Sequence, residues 1–95
     1  MSKQYYRDQI DNKKKAIYHA RDAIARLRAT KKLENQHIAM SIKNTKSRDL
    51  KTSYRTRRIN SNHSFDLQIA SRRNEIARLM KEKASLMASM RREKR

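Results

Sequence analysis

Residues 4–42 read QYYRDQIDNKKKAIYHARDAIARLRATKKLENQHIAMSI, and their apolar spacing decides the fold. Ile10, Ile17, Ile24 and Ile38 recur at one heptad position, and Tyr6, Ala20 and Leu27 fall on the companion position. A stripe with that period is the face an amphipathic helix buries against another helix. Lys31 interrupts the isoleucine position and Lys13 the companion one. Polar groups at seam positions lower stability but fix register and oligomeric state. Ala16, Ala23 and Ala25 add helix propensity without bulk. The spacing predicts one helix over 4–42, about 60 Å long at about 1.5 Å per residue.

A second stripe lies downstream. Ile69, Ile76 and Met90 share a heptad position interrupted by Lys83, while Phe65, Leu79 and Leu86 share the companion position interrupted by Arg72. Met80 and Met87 widen it. Ser64 is placed to cap this helix, Asp66 to favour its positive end, and Lys94 and Arg95 its negative end. The expectation is a second helix over 64–92. Between the two helices, residues 43–63 read KNTKSRDLKTSYRTRRINSNH, with seven Lys or Arg against the single acid Asp49. Asn60-Ser61-Asn62 supplies the break signal, so a turn is expected near Asn60–His63, with a continuous or bent rod as the alternative. The connector would then be basic and partly helical.

Composition supports helices and little else. The 95 residues contain no Gly, no Pro and no Cys. Tight hairpins, left-handed caps and phosphate-cradling loops draw on Gly, and sharp stops draw on Pro. Disulfides and thiolate zinc sites are excluded. The expected fold is a single all-α domain over 1–95, an antiparallel helical hairpin or coiled coil. Hydrophobic residues make up only 36% of the chain, and the formal net charge is +17. That balance marks chains that fold poorly alone, so an oligomer or a partner-stabilised form is expected. No apolar run approaches the roughly 18 residues of a membrane span. Nor does Met-Ser-Lys-Gln-Tyr-Tyr carry the apolar core of a signal peptide behind Lys3. An intracellular location, cytoplasmic or nucleoid-associated, follows as the expectation.

Catalysis finds no support. His19, His37 and His63 stand 18 and 26 residues apart, outside any i, i+4 metal pair. Asp22 and Glu34 lie one helical turn from His19 and His37, the spacing of ordinary surface pairs. Nucleophile elbows and phosphate loops require glycines this chain lacks. Neither enzyme chemistry, a cofactor, a metal nor a small-molecule substrate is expected.

The basic excess points to binding. Lys and Arg outnumber Asp and Glu 26 to 9, and the excess is spread along the whole chain. Phosphate backbones reward such a surface, because each neutralised phosphate releases counterion. The expected contacts are Lys51, Arg55, Arg57 and Arg58, supported by Lys13, Lys14, Lys15, Arg72 and Arg73, with Tyr54 placed to stack on a base. Binding largely without sequence specificity is expected, and DNA and RNA are not distinguished. The expected helix-packing residues are Ile10, Ile17, Ile24, Leu27, Ile38, Phe65, Ile69, Ile76, Leu79, Leu86 and Met90.

Two other readings compete with this one. An inhibitor could occupy the acidic surface of a nucleic-acid enzyme. A protein-interaction module could await a partner helix, with Met80, Met87 and Met90 as an adaptable surface. A membrane-surface role is disfavoured, since there is no Trp and a single Phe. The opening Tyr5-Tyr6-Arg7-Asp8-Gln9-Ile10 on a Gly-free helical layout resembles the small helical adaptors of bacterial type VII secretion. The resemblance implies pairing with the helical targeting region of a toxin substrate. The chain departs from that pattern in lacking the Trp-x-Gly turn of the related secreted family, and in its charge.

Overall fold

A computed structural model describes residues 2–93 and shows, among them, two α-helices and no strand: α1 (Lys3–Asn44) and α2 (Arg48–Arg92). Lys94 and Arg95, expected to favour the end of the second helix, lie outside the described residues. Both helices are built from strong formers, chiefly Ala, Lys, Arg, Leu and Glu, with no Gly or Pro to interrupt them. Three of their Ser and Thr hydroxyls donate one turn back along the helix. Thr30 Oγ1 donates to the Arg26 carbonyl at 2.9 Å, Ser41 Oγ to that of His37 at 3.1 Å, and Thr52 Oγ1 to that of Arg48 at 3.1 Å.

The first helix lies where the spacing places it, extended to Lys3–Asn44. The turn does not. It falls at Thr45–Ser47 rather than near Asn60–His63, which is helical throughout. The second helix therefore starts at Arg48 and absorbs most of the expected connector. Its cap is Ser47 rather than Ser64: Ser47 Oγ accepts from Leu50 N–H at 3.2 Å, and Asp49 supplies the first-turn acid. Thr45 Oγ1 accepts from Ser47 N–H at 3.3 Å and tightens the link. Ser2 does the same work at α1, accepting from Tyr5 N–H at 3.3 Å. The Asn60-Ser61-Asn62 cluster stays helical because Ser61 and Asn62 are half-buried there. Loss of water removes much of the advantage a polar turn would have over a helix.

The chain divides into two compact units. One comprises Met1–Ala23 and Ser71–Arg95, the other Ile24–Ala70. In the second unit, α1 ends at the Thr45–Ser47 link and α2 begins, making a helical hairpin. Its core is Ile24, Ile38 and Ile69, all buried, with Leu27 and Phe65 half-buried. Lys31 Nζ donates to Asp66 Oδ1 at 2.8 Å and Arg57 to Glu34 Oε1 at 2.9 Å. The higher-numbered α1 residue meets the lower-numbered α2 residue, so the helices run antiparallel. Asp66 is thus a mid-helix partner of Lys31, not a helix-end charge. The first unit buries Ile10, Ile17, Ala20 and Leu79, with Ile76, Leu86 and Met90 half-buried. There Lys13 Nζ meets Glu82 Oε1 at 2.8 Å.

Both seam lysines therefore reach a carboxylate on the other helix. Among the described residues no charged or polar residue is buried. Each lysine keeps its stem in the seam and its ammonium at the edge.

Candidate nucleic-acid interface

Helical geometry sorts the basic residues of the second unit into flanks. At about 100° per residue, Arg48, Lys51, Arg55 and Arg58 share one side of α2. Arg48 and Arg55 are exposed, while Lys51 and Arg58 are half-buried beside the core. Arg57 points to the opposite flank, where Glu34 takes its guanidinium. The outward ridge between the flanks holds no cation: it is built from Asp49, Thr52, Thr56, Asn60 and His63, all exposed. Tyr54, expected to stack on a base, is half-buried.

The first unit holds Lys13, Lys14, Lys15, Arg72 and Arg73. The lysine run does not form one patch, because consecutive helical residues diverge. Lys13 serves the seam through Glu82, and Lys14 and Lys15 are exposed on different sides of α1. Arg73 is exposed, and Arg72 pairs with Glu75 one turn on at 3.2 Å. Arg78 reaches Glu82 at 3.0 Å, so Glu82 carries two cations. The hydrogen bond from Lys13 is the main cause holding the Glu82 carboxyl below its ordinary range. Partial desolvation is the next largest effect and opposes it, while the charges of Lys13 and Arg78 and the Arg78 hydrogen bond each add a smaller lowering effect.

Two basic residues were missed at the level of sequence. Arg7 and Arg21 stand seven residues either side of Lys14, and all three are exposed on one flank of α1. Reading charge at the heptad period already applied to the isoleucines would have found them. Tyr18 was missed as well, and it is the most exposed large hydrophobic side chain among the described residues, at 69%. Its ring meets His19 edge-on, with centroids 6.0 Å apart.

Two shallow grooves run along this unit. One, of about 290 Å³, is lined by Lys14, Ile17, Tyr18, Arg21, Met80 and Lys83. The other, of about 360 Å³, is lined by Asn74, Ala77, Arg78, Lys81 and Glu82. The first has three cations and no carboxylate in its lining, whereas the second includes Glu82. Among the described residues, no group of three or more His, Cys, Asp or Glu is placed to hold a metal ion. No helix among them is long and apolar enough to cross a membrane. No family model matches the sequence, and no curated protein or solved structure matches it.

Proposed function

We propose that the chain is a helical binding protein for nucleic-acid backbones, gripping phosphates largely without regard to sequence. One observation carries this reading: three of the nine acids are held across the helix pairs and a fourth within α2, while the basic excess faces outward. Asp66, Glu34 and Glu82 are held by Lys31, Arg57 and Lys13 across the helix pairs, and Glu75 by Arg72. Against them stand 26 Lys and Arg, of which Arg7, Lys14, Lys15, Arg21, Arg55 and Arg73 are among the exposed. A helix surface selected only for solubility mixes its signs. A surface of one sign is what a polyanion rewards, through counterion release.

The test is salt titration of binding to a labelled duplex. The logarithm of affinity should fall linearly with the logarithm of salt, by about 0.9 for each phosphate contacted on duplex DNA. Affinity that is the same at low and high salt removes this reading.

A second reading has its own observation. On α1 of the second unit, Leu33 and Met40 are 56% and 62% exposed, and Ala25 and Ala29 share their face. Apolar residues at that spacing suit a further helix, from a partner or a second copy. Sedimentation of nuclease-treated protein checks it. Self-association, or a stoichiometric helical partner, that Leu33→Glu with Met40→Glu abolishes would place this role first.

A further inference from the structure

The groove along Lys14 and Tyr18 separates two kinds of nucleic acid, and we propose that it binds a single strand, stacking one base on Tyr18. This rests on the nucleic-acid reading above and refines it. Lys14 lies one turn before Tyr18 and Arg21 one turn after it, so the ring sits between two cations on the same helix. Lys83 from α2 adds a third, and Ile17 and Met80 supply an apolar floor. Along the helix axis Lys14 and Arg21 are about 10 Å apart at about 1.5 Å per residue. A nucleotide whose base covers the ring therefore has cations within reach of the phosphates on both sides.

The occupant follows from what is exposed and what is charged. An aromatic side chain that is 69% exposed leaves a large part of its ring open to contact. In a duplex the base faces are already stacked, and only the backbone is offered. In a single strand the faces are free, and stacking on an aromatic ring tolerates any base. The lining holds no carboxylate to repel the strand. Asp22, one turn beyond Tyr18, is engaged in an interaction of its own. An acidic peptide could satisfy the cations but has no planar face of matching size to cover the ring.

The experiment uses fluorescence anisotropy of the full chain with a labelled oligothymidine, the matching oligouridine, and a duplex of equal length. Circular dichroism first checks that the variants keep their helix content, which an exposed tyrosine should permit. Tyr18→Ala should weaken both single strands about tenfold, in line with the roughly 1–3 kcal/mol measured per stacked base. Duplex affinity should change less than about twofold, and Tyr18→Phe should behave as the parent. The proposal is overturned if Tyr18→Ala leaves the single strands unchanged while salt-dependent binding persists, an outcome that spares the broader reading. Equal losses on single strand and duplex overturn it too, as does polyglutamate binding as tightly as the oligonucleotides. Failure of every nucleic acid to bind removes the broader reading along with this one.

Discussion

Glu82 shows how far a single carboxylate can be committed to the fold. It accepts from Lys13 across the helix pair and from Arg78 one turn before it. Its folded pKa is therefore below the ordinary value of 4.5. A depressed carboxylate stabilises the fold above its unfolded pKa, and that contribution is lost as pH falls through the folded one. Urea unfolding midpoints should accordingly drop on acidification below the ordinary carboxylate range. Glu82→Gln should be less stable near neutrality and should flatten that part of the pH profile. An unchanged profile would mean that Lys13 finds no support there. Residue position also separates neighbours in the basic stretch. Lys51→Gln, Arg55→Gln and Arg58→Gln together should reduce the salt slope by about 0.9 for each phosphate they no longer neutralise. Arg57→Gln alone should leave it nearly intact, because its guanidinium is held by Glu34. If Arg57→Gln changes the slope as much as the triple variant, the division into two flanks is wrong.

At the scale of the element, the two helix starts are decided by short-range chemistry and the absence of a break by long-range packing. Ser47→Ala removes the side-chain acceptor of Leu50 N–H and should cost about 1 kcal/mol. Ser64→Ala, in the exposed middle of α2, should stay within about 0.5 kcal/mol. Asn60→Pro gives the sharper contrast. In a turn it would be tolerated, but inside α2 it removes a backbone hydrogen bond and should cost about 3 kcal/mol or more. Chemical denaturation of these variants reads all three differences. The residue string Asn60-Ser61-Asn62 has the composition of a turn, and Thr45-Lys46-Ser47 is hardly different. The second won because Ser47 is followed at the right distance by Asp49 and Leu50. The first lost because Phe65, two residues after His63, continues a buried side that Arg58, Ser61 and Asn62 had already begun.

At the scale of the molecule, a charge of +17 opposes folding, and the ion pairs partly offset it. Exposed pairs contribute at most about 1 kcal/mol each, and added salt weakens them. The same salt screens repulsion among the remaining cations, since the Debye length falls to about 10 Å at about 0.1 M. Bases outnumber acids nearly threefold, so screening of repulsion should dominate. The thermal midpoint should rise as salt increases from about 20 mM to about 200 mM, followed by circular dichroism. A steady fall would show that attraction between the helices outweighs the excess charge.

The chain's helical character, the place of α1, and the identity of the buried side chains were settled by composition and period. Without Gly or Pro there was no cheap alternative to helix, and isoleucine at heptad spacing has to face another apolar surface. Ile10, Ile17, Ile24, Ile38, Ile69 and Leu79 are all buried as that logic requires. Tertiary structure alone decided that the chain does not turn at Asn60–Asn62, which carboxylates the seam lysines meet, and which cations are left outward. Those outcomes depend on pairing between residues far apart in the chain, such as Lys13 with Glu82, 69 positions away. Local propensity carries no information about a partner at that distance, because the energy that selects it appears only when both helices are in place.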